Sequence, residues 1–579
     1  QMSDPIRVMD TIQPISITPT KTGSFIVDMG QNMVGFCRLH VSGPAGTVVT
    51  LRHAERLKAD GTLYLDNMRT AKVMDTYVLS GKGDETYEPR FTYHGFRYVE
   101  VTGYPGALTP ADIEGRVVYD SIATTGDFEC SNALLNQLYR NIYCGTRSNY
   151  RSIPTDCPQR DERQGWLGDR SAECLGESFM FDLSAFYPKW ETDIADAQRD
   201  SGSVPDVAPP YWVLYNDGVV WPSTYVIAPH MLLQQYGDHL TLAAHYDSMK
   251  CWTDYMTGFL KDGIMPKNTY GDWCVPPESP ELIHSKDPNR QTPPELLSSA
   301  YFFYDLNLMQ KAATLLGKSN DAAHFAALAA KMKTAFDANY FRKKTGDYGN
   351  GSQTSTVLPL AFGLVPPEKK QKAFDSLVKK IVDDSKGHIG TGLVGGQWLM
   401  RVLSDNGRPD LAYEIATQQT YPSWGYMLSK DATTIWELWN GDTADPAMNS
   451  GNHVMLIGDL NIWLFEYLAG IRPDPDSPGY RHFILHPVPV GDLKSAKAHY
   501  DSIRGTITSD WKLDGKQLTY AVTIPPNTTA TVFVPGEIAT ANGTPVRQTD
   551  GVKFLRMENG ATVCEVESGK YLFAATVSR

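Results

Sequence analysis

No run of about eighteen apolar residues occurs anywhere in this 579-residue chain, so no membrane-spanning helix is expected. The eight cysteines, at positions 37, 130, 144, 157, 174, 251, 274 and 564, form no CxxC pair and no Cys/His metal spacing. That excludes zinc modules and favours buried free thiols; a pairing such as Cys130 with Cys144 stays open. Positive charge is short: 53 Lys and Arg stand against 66 Asp and Glu, a net charge of −13. Nucleic acid and anionic membrane surfaces are therefore excluded as partners. The opening Gln1-Met2-Ser3-Asp4 lacks the basic and apolar regions of a secretion signal, and since it does not start with Met the compartment stays open. Internal repeats and low-complexity tracts are missing too.

What remains is an ordinary globular composition, 42% hydrophobic and 21% charged, in a chain long enough for about two to four domains. Twelve Trp, 30 Tyr and 21 Phe suit carbohydrate binding, though such residues more often simply fill cores. Residues 1–125 pattern as β structure. Cys37, Leu39 and Val41 alternate with Arg38 and His40, and Val49 and Leu51 with Thr50 and Arg52, so a β-sandwich is the economical reading. From Cys130 the period becomes helical, with Ser131 a candidate N-cap before Leu134, Leu135, Leu138 and Ile142. About twelve amphipathic segments follow, starting near residues 131, 169, 187, 225, 240, 295, 319, 354, 367, 394, 408 and 453. The clearest carries Phe325, Leu328, Met332 and Phe336 on one face. Beyond the Pro/Asp-rich break at Arg472–Gly479, Leu518, Tyr520, Val522 and Ile524 alternate and Asp514-Gly515 marks a hairpin, giving a second β domain.

The most informative stretch runs from Asp156 to Arg170, with four acids, three arginines, a tryptophan and two glycines in fifteen residues. Pro154 and Pro158 forbid a continuous helix, so this is a shaped loop leading into a helix that starts near Asp169. A solvated, salt-bridged helix face would use the same charges. The Cys157-Pro158 step, the paired glycines and Trp166 do not serve such a face. Clustered carboxylates raise one another's pKa, as glycoside hydrolysis needs of its proton donor. Asp156, Asp161, Glu162 and Asp169 are candidates for that role. Glu437, between Trp436 and Trp439, is the best second carboxyl; aromatics around it should raise its basicity by desolvation. After Thr433 and Thr434 it would equally suit a helix start.

The run Asp156–Asp169 (DCPQRDERQGWLGD) resembles the signature of the bacterial α-L-rhamnosidases of glycoside hydrolase family 78. Ala432–Gly441 (ATTIWELWNG) and Ser450–Gly458 (SGNHVMLIG) resemble that family's second acidic motif and its Asn-His motif, in the same order. The resemblance implies a central (α/α)6 barrel (126–471) flanked by N-terminal (1–125) and C-terminal (472–579) antiparallel β-sandwich domains. It implies an exo-acting, inverting hydrolase of terminal α-L-rhamnose, with Glu162 as general acid and Glu437 as general base. Asp156, Arg160 and Asp169 match groups that hold sugar hydroxyls, Trp166 an aromatic of the pocket, and His453 the motif histidine beside the same ring. Trp221, Trp273 and Asp272 extend that substrate-binding set, while His453 also suits a helix start and Trp273 a core. Ser223 stands where many relatives carry an acid. Two carboxylates suffice for the chemistry, so no cofactor and no metal is expected, nor a separate calcium-dependent sugar module. The implied partner is an L-rhamnoside, the implied assembly a monomer or homodimer. A different sugar on the same barrel, or an inactive carbohydrate-binding relative, are the competing readings.

Overall fold

The computed structural model describes residues 3–577. The N-terminal region is organised by one long strand, Phe25–Ser42, in which Cys37, Leu39 and Val41 turn inward as their alternation predicts. Its first part pairs with Ser16–Pro19 and His94–Thr102, its second with Ile113–Asp120 and Asp84–Tyr87. The register breaks between Asp28 and Met33 as the strand changes neighbours. The eight-stranded sheet thereby folds over a core that includes Val27, Val34, Leu39, Leu51, Val99 and Val117. At Gly35 (φ 144°) the strand crosses its neighbour so closely that a Cβ would overlap the carbonyl oxygen of Arg116.

Helices occupy residues 133–469. They begin near every predicted start, and among the described residues there are two more, Leu399–Asp405 and Trp424–Ser429, too short to show a period in sequence. The widest departures are Cys174–Ser178, preceded by a single tight turn at Gly168–Arg170, and Leu460–Trp463. The first helix, Ala133–Ser148, is capped by Asn132 rather than Ser131: its side chain accepts from the N–H groups of Leu134 and Leu135. Successive helices pack as hairpins, including Thr224–Tyr236 with His239–Thr257, Pro294–Leu315 with Ser319–Tyr340, and Gln353–Ala361 with Pro367–Lys379. Ala133–Ser148 packs in turn on Pro409–Thr417 and Trp424–Ser429, which closes the ring. This is the (α/α)6 barrel.

The C-terminal sheet has ten strands, with Gln517–Pro535 and Ala561–Thr576 as its long central pair. Its edge strand, Gly126–Cys130, precedes the barrel in sequence and pairs with Ser495–Ser502. The helical region is thus held between two strands of one sheet. All eight cysteines are free, so Cys130 and Cys144 are not paired.

The N-terminal sandwich grips the barrel through its loop at residues 430–451. Gln31 Nε2 donates to the Thr433 carbonyl at 2.9 Å, and the Asn32 N–H to Thr433 Oγ1 at 2.8 Å. Arg97 bridges Asp28 (2.9 Å) and Asp431 (2.7 Å), and Glu55 accepts from the Gly451 N–H at 2.8 Å. Replacing Gly35 by Ala should cost at least about 2 kcal/mol, because both φ and the crossing backbone oppose a side chain. Urea unfolding checks this; unchanged stability would mean that the two strands do not cross there as described.

Candidate active site

The loop from 152 to 168 is shaped by its own backbone. The Asp156 N–H donates to the Gln164 carbonyl at 3.0 Å, closing the turn that presents Arg160 and Glu162. The Ala208 N–H then donates to the Gly165 carbonyl (2.9 Å), and the Leu167 N–H to Asp206 (2.9 Å). Each of the three arginines has a different task. Arg163 ties the loop to the sandwich by donating to the Tyr93 carbonyl at 3.0 Å and lying over the Tyr93 ring. Arg170 turns into the barrel, pairs with Glu177 and donates to the Thr155 carbonyl. Arg160 points into the site.

A second segment completes it. The Glu437 N–H donates to the Ser450 carbonyl (3.0 Å) and the His453 N–H to that of Ile435 (2.9 Å), so two stretches run side by side and bring Glu437 next to His453. Arg160 joins the halves: Nε donates to Glu162 Oε2 at 2.8 Å, Nη1 to Glu437 Oε2 at 2.7 Å and to the Asn449 carbonyl at 2.8 Å. The other Glu162 oxygen accepts from Trp166 Nε1 at 2.8 Å.

These groups open on a cavity of about 360 Å³, at the small end of the range for ligand pockets. Glu162, Glu437, Asp169, Arg160 and His453 supply its polar side; Trp166, Trp221 and Trp273 are on its wall, as expected. Gly168 lies so close to Trp221 that a Cβ would strike the indole. Sequence reasoning missed Arg69, Trp212, Tyr270, Ile283, His284, Asn449 and Met455, which also line the cavity. Tyr270 adjoins the Gly271-Asp272-Trp273 turn and sits 4.6 Å from the Trp221 ring, a clue that was available; Arg69 had none.

Three expectations need correction. Asp272 does not line the cavity: its oxygens accept from the N–H groups of Gly392 (3.0 Å), Val394 (2.8 Å) and Gly395 (3.2 Å) and from Thr354, holding the start of the short helix Leu393–Gly396. Asp156 lies behind Arg160 rather than on the wall. One oxygen accepts from the Gln164 N–H at 2.7 Å; the other faces Arg160 Nη2 at 3.6 Å and His453 Nε2 at 3.9 Å without a hydrogen bond. Glu437 is not made more basic. Burial pushes it up, but the charge and hydrogen bond of Arg160, with His453 beside it, outweigh burial and hold it below the usual carboxylate range.

The remaining groups diverge. Burial and then Glu162 push Asp156 up to about 7. Burial, then Asp156, raise Asp169 well above its ordinary value. Burial lowers His453 to about 4, so it is neutral at physiological pH; its Nδ1 accepts from the Met455 N–H, which leaves Nε2 carrying the proton. Asp161 points elsewhere, bonded to Thr70. Ser223 is buried against Asp305 (2.7 Å) and does not reach the cavity.

Among the described residues, two groups of acid, His and Cys side chains lie close enough for metal ligation. In Asp156, Cys157 and Glu162 the neighbouring space is taken by the Arg160 guanidinium. In the sandwich, His94 Nε2 is 3.0 Å from Asp75, but the His53 and His94 rings stack at 4.1 Å and 14°, so their in-plane lone pairs lie in nearly parallel planes instead of meeting at one point. That geometry fits a His-to-Asp hydrogen bond better than a chelate.

Asp156 also generates a pH test. Its folded pKa near 7 exceeds the unfolded value of about 3.9. Its contribution to stability is therefore full below about pH 4 and is lost as pH rises through about 7. Asp156→Asn should remove that slope, gaining on the order of a few kcal/mol relative to wild type between pH 5 and 8. Urea midpoints at the two pH values measure it; parallel pH dependences would mean that Asp156 is ionised throughout.

Family models match three consecutive parts of the chain: the bacterial α-L-rhamnosidase concanavalin-like domain at residues 18–119, the 6 hairpin glycosidase domain at 123–468 and the C-terminal domain at 470–547. An α-L-rhamnosidase of Streptomyces avermitilis is 39% identical over 99% of this chain and 54% of its own length. One from Formosa agariphila is 35% identical over 96% of this chain and 60% of its own. The chain thus spans little more than half the length of these relatives. The structure of the α-L-rhamnosidase from Dictyoglumus thermophilum superposes with a TM-score of 0.93 at 38% identity, covering 99% of this chain and 64% of that one. The Streptomyces avermitilis enzyme complexed with L-rhamnose does so with 0.93 at 37%, covering 100% of this chain and 54% of that one. By its motifs, its three matched domains and its fold, this chain belongs to the bacterial α-L-rhamnosidase family.

Proposed function

We propose that the chain is an exo-acting α-L-rhamnosidase that works with inversion, Glu162 donating the proton to the leaving oxygen and Glu437 activating water. The observation that carries this reading is the single guanidinium of Arg160 holding both carboxyls on one small cavity walled by tryptophans. A pocket of this volume suits one terminal sugar, and flat indole faces suit its apolar side. The sugar is taken from the similarity to the L-rhamnose complex of the Streptomyces avermitilis enzyme.

Inverting hydrolysis needs one ionised carboxylate and one protonated carboxyl on opposite sides of the bond, about 6.5–9.5 Å apart with room for water. Arg160 keeps Glu437 ionised at neutral pH, which a base requires, at some loss of basicity. Glu162 is fixed from both oxygens, so little rotational freedom is lost on proton transfer. Trp166, bonded to Glu162, links the aromatic wall to the proton donor. His453 presents Nε2–H to a sugar hydroxyl. First-formed β-L-rhamnose by NMR on an α-rhamnoside is the expected outcome; first-formed α-anomer would overturn inversion.

A second assignment of the acid is favoured by one observation. Asp169 lines the same cavity, and burial, with Asp156 beside it, raises its pKa well above the usual carboxylate range, the direction a proton donor needs. Leaving-group dependence separates the two. Glu162→Gln should lose on the order of 10²–10⁴-fold in kcat/KM on alkyl rhamnosides and far less on activated aryl rhamnosides. Asp169→Asn should lose similarly on both, as a sugar contact would. If Asp169→Asn instead shows the leaving-group dependence, the roles are exchanged.

A further inference from the structure

Glu162 receives hydrogen bonds from two sources. Arg160 and Trp166 belong to its own loop, and Arg160 is tied in turn to Glu437 and Asn449, also of the barrel. The third donor comes from the other domain: Arg69 Nη1 reaches Glu162 Oε2 at 2.9 Å from the N-terminal sandwich. Among the described residues, Glu162 is the group that the Arg69 guanidinium bonds.

The backbone delivering Arg69 is held in an unusual state. It follows the tight turn Asp66–Met68 with φ 54° and ψ −119°, a left-handed conformation that an L-residue with a long side chain disfavours. The chain is anchored on both sides of it. Asn67, buried, donates to Glu55 at 2.9 Å and to the Met448 carbonyl at 2.8 Å. Thr70 donates through N–H and hydroxyl to Asp161, the residue beside Glu162. The turn is therefore fastened to both halves of the site, and the strained residue between the fastenings is the one that extends over the cavity.

We propose that Arg69 is a positioning residue, lent by the N-terminal sandwich, that fixes the Glu162 carboxyl relative to the barrel for proton donation. The inference rests on the role given to Glu162 above. Without Arg69 the carboxyl keeps only partners from the barrel and loses its anchor in the sandwich, so its aim at the leaving oxygen is relaxed while the sugar pocket stays intact. Other charged groups facing Glu162 are Arg160, Asp156, Asp169 and Glu437, all from the barrel.

Arg69→Gln and Arg69→Lys are compared with wild type on 4-nitrophenyl α-L-rhamnoside and an alkyl α-L-rhamnoside, with thermal unfolding of each variant. The expected result is a kcat loss for Arg69→Gln at least tenfold larger on the alkyl substrate, with KM little changed, partial recovery in Arg69→Lys and unfolding midpoints near wild type. Equal kcat losses on both substrates, or a loss confined to KM, would overturn the inference and make Arg69 a sugar or aglycone contact. Lowered midpoints with no leaving-group dependence would overturn it in favour of a purely structural part. A wild-type chain inert on both glycosides overturns the proposed function and this inference with it, whereas an active wild type with equal losses in the variants overturns only the latter.

Discussion

The site depends on a cation that cannot be left alone. Arg160 is only 2% exposed, and a guanidinium in such surroundings must find acceptors for a fork of donors set in one plane. Glu162, Glu437 and the Asn449 carbonyl supply them, from two segments far apart in sequence. Removing one partner of a buried pair typically costs about 3–5 kcal/mol, since the other charge is stranded. The signature loop and the segment carrying Glu437 are thus obliged to meet, and the barrel closes around that meeting. A lysine, with a single point charge, could not satisfy both edges at once.

The same cation divides labour among the carboxyls. Arg160 overcomes burial at Glu437 by its charge and direct bonds, and the group stays ionised. Where it only approaches, as at Asp156 (3.6 Å, no hydrogen bond), burial wins and the group moves toward neutrality. Asp169, without such a bond, is raised as well, by burial and then by Asp156. A few ångströms of placement therefore move neighbouring carboxyls in opposite directions, the kind of divergence that acid and base chemistry in a single pocket draws on.

Much of this was legible in the sequence, for identifiable reasons. Strand alternation at Cys37–Val41 and Leu518–Ile524 and helical spacing at Phe325–Phe336 reflect period and burial, which are local properties. The loop at 156–170 was legible because its composition suits no regular element. What escaped were properties of assembly. Gly126–Cys130 looks like an approach to the first helix, and only the folded chain shows it pairing with residues some 370 positions later. Asp272 looks like a pocket acid beside Trp273, yet the unfilled N–H groups at 392–395 claim it first. Desolvation of Glu437 by its tryptophans was a sound local inference, reversed by an arginine from another segment.

Those corrections share a direction: contacts between segments override the preferences of each one. They bear on what the N-terminal sandwich is for. Its strand Phe25–Ser42, with the residues that follow, sends Gln31, Asn32, Glu55 and Asn67 onto the 430–451 loop that carries Glu437. Its Tyr93 receives Arg163 from the signature loop, and Arg97 reaches Asp431. Both halves of the site are thus braced by one sheet, which bonds to each. Loops that carry charged groups gain precision when ordered from outside, because ordering them alone costs conformational entropy that their few internal contacts do not offset. The barrel supplies the chemical groups, and the sandwich supplies the frame that keeps two irregular loops in register across the Arg160 bridge.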